Sequence, residues 1–153
     1  MNFYNYTHVQ ELRKAQVSAS ANIAPNSGFA NAQNIKIGDN VTIGAYCQIW
    51  AGPDRARVTI ARDTLFAPDV MVTATTYRYN EGAPVTDQAM DEADIEIGAD
   101  CWIGRGATIL LGTTLGEGCI VGAHSVVSGQ FPAFSVLVGS PARVVAQRDS
   151  SGA

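Results

Sequence analysis

The sequence has few charged residues, few histidines and no long apolar run. Only 16% of its 153 residues are charged while 46% are hydrophobic, so one folded domain is expected instead of a disordered chain. No apolar stretch reaches the roughly eighteen residues that a membrane-spanning helix needs. The net charge of -4 argues against a nucleic-acid-binding surface. The N-terminal residues lack the basic start and apolar core of a secretory signal, so we expect a cytoplasmic protein.

Cysteine and histidine are too scarce for most metal sites. The chain has three cysteines and two histidines. The cysteine spacings match no zinc template, and an odd count argues against a disulfide framework. Two histidines cannot supply a zinc site that needs three of them. We therefore expect no metal, and we interpret Cys47, Cys101 and Cys119 as small buried side chains.

What the chain does contain is a six-residue repeat. From Ile97 to Val127 an aliphatic residue stands at every sixth position, usually followed by glycine, and a small residue occupies the fifth place. This period fits neither an α-helix nor an alternating strand. A short strand followed by a sharp turn, repeated with the aliphatic side chain inward, is the signature of a hexapeptide-repeat β-helix.

The same repeat runs through the earlier part of the chain, with interruptions at 55–59 and 78–94. If three hexads complete one triangular coil, both interruptions follow a third hexad and leave the helix at the same corner. Inward side chains should then stack in columns at the strand spacing of about 4.8 Å. The predicted columns are Ile37–Ile60–Ile97–Leu115, Ile43–Phe66–Ile103–Val121 and Ile49–Val72–Ile109–Val127.

These patterns predict an all-β fold, a parallel β-helix with little helix and one domain over 1–153. Residues 1–16 are expected to form an N-terminal cap with one or two helical turns. A protruding loop spans 78–94. The repeat is predicted to end within SGQFPAFSV (128–136), because Phe131 and Pro132 break its pattern, and a C-terminal tail covers 133–153.

The hexads, the segment IGADCWIGRGATILLGTTLGEGCIVGAHSVVSG and the ending VGSPARVV resemble the hexapeptide-repeat acyltransferases. The nearest relatives are sugar O-acetyltransferases of the galactoside, maltose and surface-polysaccharide type, and the resemblance covers about residues 20–147. It implies a left-handed β-helix, an exception to the usual right-handed crossover. It also implies a homotrimer that binds acetyl-coenzyme A as co-substrate between subunits, with a sugar-like acceptor entering near 78–94.

The resemblance suggests which residues contact the substrates. Glycine-rich turns let a pantetheine arm approach the backbone, although glycines such as Gly104 also serve the turns themselves. Arginines suit the phosphates of the coenzyme, and Arg148 follows the candidate Arg143 in the sequence. A solvated surface role is equally open for these arginines. Trp102 also fits core or inter-subunit packing. The candidate coenzyme contacts are Trp102, Gly104, Arg105, Gly112 and Arg143, and the candidate acceptor contacts are Tyr77, Arg78, Tyr79 and Glu81. The acidic residues Asp87, Asp91, Glu92 and Asp94 are interpreted as a solvated loop.

One expected residue is missing. An alcohol needs a general base, and in the sugar O-acetyltransferases a histidine just before the loop has this role. Here Thr75 or Thr76 stands at that place, and a threonine cannot accept a proton at pH 7. His124 lies in a later coil at another corner, where it is either an outward-facing turn residue or a base that reaches the reaction across a trimer cleft.

Three alternatives remain open. The base is displaced to His124, or to a carboxylate such as Asp69 or Glu81. The acceptor is an amine, which attacks without prior deprotonation. The protein is a non-catalytic trimeric scaffold or partner subunit. The sequence favours acetyl transfer to a sugar-like acceptor, with His124, Thr75 and Thr76 as the candidate catalytic positions.

Overall fold

Each hexad folds as a short strand followed by a tight turn, and three hexads complete one coil. The computed structural model describes residues 8–149. Helix α1 covers His8–Leu12, and two 3₁₀ turns lie at Ala32–Asn34 and Val85–Asp87. The strands, in chain order, are β1 (Gln16–Val17), β2 (Asn22–Ile23), β3 (Gly28–Ala30), β4 (Ile35–Ile37), β5 (Thr42–Ile43), β6 (Gln48–Trp50), β7 (Val58–Ile60), β8 (Leu65–Phe66), β9 (Met71–Thr73), β10 (Thr75–Tyr77), β11 (Met90–Glu92), β12 (Ile95–Ile97), β13 (Trp102–Ile103), β14 (Thr108–Ile109), β15 (Thr114–Leu115), β16 (Ile120–Val121), β17 (Val126–Val127), β18 (Gln130–Phe131), β19 (Ser135–Gly139) and β20 (Ala142–Gln147).

The strands stack into the three faces of a prism. The first face has the order β1-β4-β7-β12-β15-β18, the second β2-β5-β8-β13-β16-β19-β20, and the third β3-β6-β9-β14-β17. Pairing within the faces is parallel, apart from β20, which turns back antiparallel on β19. Strands β10 and β11 form a separate antiparallel hairpin. The predicted parallel β-helix is therefore confirmed for the described residues.

The strand register confirms the three inward columns. Partners in adjacent coils face each other without slippage across both insertions, and every column residue is at most 2% exposed. Full burial of such a side chain contributes about 1.5–3 kcal/mol, so the columns are the core of the molecule. The columns are Ile37–Ile60–Ile97–Leu115, Ile43–Phe66–Ile103–Val121 and Ile49–Val72–Ile109–Val127.

The repeat continues beyond its predicted end at 128–136. Phe131 pairs with Leu115 and extends the first column, and Leu137 pairs with Val121 and extends the second. The prediction was wrong because Phe131 follows Val127 by four positions instead of six, which hides the period in the sequence. The register depends on the inward side chain, which Phe131 provides, and a shortened corner absorbs the missing residues.

Ten turns share one conformation at the fourth place of the hexad, while Gly52 and Thr75, where the insertions leave, do not. The ten residues have φ between 54° and 76°, the left-handed region that Gly, Asn and Asp tolerate best. Their N–H groups normally donate to the preceding coil, as Asp100 does to the carbonyl of Arg62 at 3.1 Å. The fourth-place residues are Asn40, Tyr46, Asp63, Asp69, Asp100, Gly106, Gly112, Gly118, His124 and Phe134.

The three cysteines at the fifth place are buried free thiols, as predicted. They also donate hydrogen bonds that join neighbouring coils. The Sγ of Cys47 lies 3.2 Å from the carbonyl oxygen of Ala67, and that of Cys101 lies 3.3 Å from the oxygen of Gly116. Hydrogen bonding with Cys119 and burial both raise the pKa of Cys101. At these turns a small side chain with a donor therefore links adjacent coils.

Both insertions leave at the third corner, between the third and first faces, as predicted. At the N-terminus α1 packs against β3, while residues 1–7 of the predicted cap lie outside the described residues. The predicted tail from 133 contains the hairpin of β19 and β20 as far as Gln147. Within residues 8–149 no helix has the length and apolar character needed to cross a membrane.

Candidate active site

The hairpin at the third corner carries the two threonines that replace the expected histidine. Thr75 pairs with Glu92 across β10 and β11, and Thr76 pairs with Asp91. Arg78 ties the two strands together, because its Nε donates to Asp91 at 2.8 Å and its guanidinium also reaches Glu81 at 3.1 Å. These ion pairs raise the pKa of Arg78, first through Asp91 and then through Glu81. The predicted acceptor residues thus lie on an internally braced hairpin.

The tip of this loop is also ordered by its own hydrogen bonds. Gln88 is 7% exposed, accepts the N–H of Glu81 at 3.0 Å and donates to the carbonyl of Ala83. Tyr77 and Tyr79 project outward with 46% and 75% of their surface exposed. Two aromatic side chains on a braced loop present a surface on which a ring-shaped acceptor can stack.

Of the acidic residues interpreted as a solvated loop, Asp87, Asp91 and Asp94 are exposed and Glu92 is half-buried, but three of the four also bind groups within the fold. The Glu92 carboxylate accepts backbone N–H groups from 54–56, and Asp94 accepts the N–H of Arg57 at 2.7 Å. Asp91 pairs with Arg78. Sequence reasoning missed these partners because they lie in the other insertion or across a hairpin. No local pattern marks a carboxylate that will meet a distant loop.

Gly112, a predicted coenzyme contact, differs from the other fourth-place turn residues. Its φ is 76°, and a Cβ there would meet only the Cβ of Ala93, at 3.7 Å. The preceding coil departs into the hairpin at Ala74, so the acceptor that the other turns find is missing here. Among residues 8–149 the N–H of Gly112 has no hydrogen-bond partner. An exposed backbone donor therefore lies beside the base of the hairpin.

Gly104, the other predicted glycine contact, has a different role. It is buried, and its N–H donates to the carbonyl of Val121 at 2.8 Å. A Cβ at Gly104 would lie 2.6 Å from that same oxygen. Close stacking of two coils therefore requires glycine here. Its N–H is occupied within the fold and is not free to bind the coenzyme, so a coenzyme contact through other atoms of Gly104 stays a prediction.

The second corner brings His124, Arg105 and Asp69 together on successive coils. His124 has φ 57° and is exposed, and its ring covers Gly106, whose added Cβ would lie 2.4 Å from Nδ1. The N–H of His124 donates to the carbonyl of Arg105 at 2.8 Å. Arg105 in turn donates from Nε to Asp69 at 3.0 Å. The imidazole is therefore held on the surface above a glycine, next to an ion pair.

Trp102 lies on the outer side of the second face and is 51% exposed. The strand register places it between Leu65 and Ile120, with Val136 one coil further. Leu65 is itself 44% exposed. Packing in the core of the same chain is therefore excluded for Trp102, while inter-subunit packing and ligand contact both fit its position.

The two C-terminal arginines differ in their contacts. Arg143 is exposed, donates to the carbonyl of the adjacent Ala142 at 3.0 Å and forms no ion pair within the described part of the chain. Arg148 donates to Asp100 at 2.8 Å and reaches the carbonyl of Gly118. Arg143 is therefore available for a phosphate, whereas Arg148 fastens the C-terminal segment to the first corner.

A single chain does not assemble all the predicted catalytic positions. Thr75 and Thr76 lie at the third corner beside Gly112, whereas His124 lies at the second corner. The alternative bases are already engaged, since Asp69 pairs with Arg105 and Glu81 with Arg78. In residues 8–149 no group of three or more His, Cys, Asp or Glu side chains is arranged to hold a metal ion.

Family models match two parts of the chain. Residues 94–129 match the bacterial transferase hexapeptide, six repeats, and residues 34–52 match the hexapeptide repeat of succinyl-transferase. A probable acetyltransferase of Mycobacterium tuberculosis is 34% identical over 127 residues, which are 82% of this chain but 41% of that protein. The chain thus spans less than half the length of this relative. The galactoside O-acetyltransferase of Escherichia coli is 30% identical over 156 residues, 93% of this chain and 72% of that protein.

Solved structures share the fold. A maltose O-acetyltransferase from Clostridium difficile 630 superposes with a TM-score of 0.77 at 24% identity, over 97% of this chain and 80% of that one. A galactoside acetyltransferase in complex with coenzyme A gives a TM-score of 0.76 at 24% identity, over 97% and 75%. These likenesses confirm the left-handed β-helix. With this fold, and with most of its length aligned to the galactoside O-acetyltransferase, the chain belongs to the hexapeptide-repeat acyltransferase family.

Proposed function

We propose that this protein transfers an acetyl group from acetyl-coenzyme A to a sugar-like acceptor. The observation that carries the proposal is the N–H of Gly112, which has no hydrogen-bond partner in the described part of the chain and lies beside the hairpin of Thr75 and Thr76. Acyl transfer needs a fixed hydrogen-bond donor for the carbonyl oxygen of the thioester. That donor must not already be bonded to a neighbouring coil. The interrupted stacking at the third corner leaves such a donor next to the loop expected to hold the acceptor.

The reaction that fits this site is direct transfer. The acceptor oxygen or nitrogen attacks the thioester carbonyl carbon, and negative charge develops on the carbonyl oxygen. The Gly112 N–H is placed to stabilise that charge or to hold the pantetheine amide. The carbon–sulfur bond then breaks, the acceptor's proton passes to a base, and coenzyme A leaves as the thiol after taking up a proton.

A homotrimer is part of the proposal. His124 lies at the second corner, so it can act as base only on a site built with the third corner of a neighbouring subunit. Trp102 and Leu65, exposed on the second face, are suited to meet that neighbour or the coenzyme. Arg105 and the unpaired Arg143 are the candidates for the coenzyme phosphates. We propose that this assembly works in the cytoplasm, where acetyl-coenzyme A is available.

The attacking group of the acceptor is either a hydroxyl or an amine. A hydroxyl needs the base, and histidine suits that role because its protonation changes near neutral pH. A neutral amine attacks without prior deprotonation, so an amino-sugar acceptor would tolerate threonine at 75 and 76. The galactoside O-acetyltransferase relative favours a hydroxyl acceptor.

A non-catalytic scaffold is the second candidate, and the substitution of threonine for the expected histidine favours it. Titration calorimetry with acetyl-coenzyme A separates the two functions. We expect saturable binding by the enzyme, and release of free thiol when plain sugars or amino sugars are added as acceptors. An intact oligomer that shows no heat with acetyl-coenzyme A would rule out both enzymatic alternatives and leave the scaffold.

Substitution of Gly112 by alanine is expected to raise the KM for acetyl-coenzyme A about tenfold or more, because the methyl group fills the space beside the free N–H. A left-handed alanine also costs roughly 1–2 kcal/mol of stability. Steady-state kinetics with varied acetyl-coenzyme A measures the effect. Gly82→Ala has the same φ of 76° with open space around it, so it imposes the same strain without blocking the donor. Equal KM values for the two variants would contradict the role of Gly112.

A further inference from the structure

Glu92 is bound by the backbone of residues 53–57, which lie between β6 and β7 and are called the 53–57 loop. Its carboxylate accepts N–H groups from Asp54 at 3.1 Å, Arg55 at 2.9 Å and Ala56 at 2.8 Å. Three consecutive N–H groups directed at one anion form a backbone nest. Gly52 is needed to admit the carboxylate, because a Cβ there would lie 2.2 Å from Glu92 Oε2. The nest is thus fitted to this side chain.

The nest attaches the hairpin to the body of the β-helix. Glu92 is the last residue of β11 and pairs with Thr75, the first residue of β10. Two residues later Asp94 accepts the N–H of Arg57, so the returning strand is bound twice to the 53–57 loop. Ala93 donates to the carbonyl of Ala74 at 3.1 Å and closes the base of the hairpin.

Beyond this base, the side-chain hydrogen bonds of the hairpin that involve residues 8–149 are internal to it. The contacts of Arg78 and Gln88 described above join residues of the 78–94 loop to one another. They keep the shape of the loop but do not set its direction relative to the third corner. The contacts of Glu92 and Asp94 with the 53–57 loop set that direction, and Glu92 makes three of those four hydrogen bonds.

We propose that Glu92 is a positioning residue for the acceptor site, and that the 53–57 loop acts through it to hold the Thr75 strand against the third corner. The inference rests on the proposed acyl transfer. Glu92 does not itself touch the reacting atoms. Its loss allows the hairpin to tilt, so the acceptor is held less well while the coenzyme contacts at Gly112 and the second face remain. Binding of the acceptor should therefore depend on Glu92 much more than binding of acetyl-coenzyme A.

The charge of Glu92 is part of the arrangement. The N–H groups of Ala56, Arg55 and Asp54 lower the pKa of this carboxyl. A lowered pKa means that the contribution of Glu92 is complete above the usual carboxyl pKa and is lost as the pH falls through the lowered value. A glutamine in its place has one oxygen to accept and an NH₂ group that would face the N–H donors of the nest.

The test compares Glu92→Gln with Glu96→Gln. Glu96 lies four residues later, exposed on the outer side of β12, and makes no side-chain hydrogen bond in the described chain, so its variant controls for the charge change. For Glu92→Gln we expect the acceptor KM to rise roughly 10- to 100-fold, the effect typical of a misplaced substrate. The KM for acetyl-coenzyme A should stay within about twofold. For Glu96→Gln both constants should match the parent.

Hydrogen exchange supplies a readout that does not depend on activity. In Glu92→Gln the amides of 54–56 and of 75–77 should exchange faster, while those of the core columns keep their rates. If the parent transfers acetyl groups and Glu92→Gln keeps the parental acceptor KM, the positioning role is wrong and the proposed function stands. If the parent transfers no acetyl group to any acceptor, the proposed function is wrong and the positioning role is wrong with it. Equal rises in both KM values would also overturn it, as they would indicate a general loss of structure.

Discussion

Substitution of His124 by asparagine is expected to lower kcat for transfer to a hydroxyl acceptor by about 10²- to 10⁴-fold, the usual contribution of a general base. Asparagine is the informative substitution because it tolerates the left-handed backbone at this turn, where φ is 57°. The coil should therefore keep its shape while the proton acceptor is removed. Initial rates of thiol release with saturating acetyl-coenzyme A measure the effect.

A matched control exists at the same corner. Tyr46 occupies the same turn position as His124, three coils earlier. It has φ 60° and is 63% exposed. Tyr46→Asn should keep the parental kcat and should lose no more stability than His124→Asn. A parental rate in His124→Asn would show that His124 is not the base. Full activity on an amino sugar combined with none on plain sugars would then assign the acceptor to the amine class.

Substitution of Phe66 by alanine is expected to cost about 3–5 kcal/mol of unfolding free energy, the usual loss for a buried phenylalanine. Phe66 is 0% exposed and lies between Ile43 and Ile103 in the second column. The neighbouring coils are held by backbone hydrogen bonds on both sides, so the column cannot close over the cavity. Urea unfolding at a fixed protein concentration measures the loss, because oligomer stability depends on concentration.

Lys36→Ala is the control for side-chain truncation. Lys36 lies between the buried Ile35 and Ile37 on β4 but is itself exposed. Its truncation should cost less than half of what Phe66→Ala costs. A loss of about 1 kcal/mol or less for Phe66→Ala would contradict a core built from stacked columns, since such a value is typical of sites away from tight packing.

The repeating part of the molecule could be predicted from the sequence. A period of six leaves one arrangement in which every sixth side chain is buried, and the register of Ile60 and Phe66 follows from counting. The common exit of both insertions follows from the same count. Period and turn chemistry are local properties, and local properties are readable in the chain.

The tertiary structure alone decided which of these positions are free to act. Glu92 looked like one member of an acidic loop until the 53–57 loop supplied three donors to it. Gly104 and Gly112 were both predicted to contact the coenzyme, yet a coil stacked on the first occupies its N–H and a departing coil leaves the second without a partner among the described residues. Arg143 and Arg148 differ in the same way, because Asp100 binds Arg148 and leaves it less available for a ligand than Arg143. Hydrogen-bond partners come from coils tens of residues away, so availability for chemistry depends on stacking that no local pattern records.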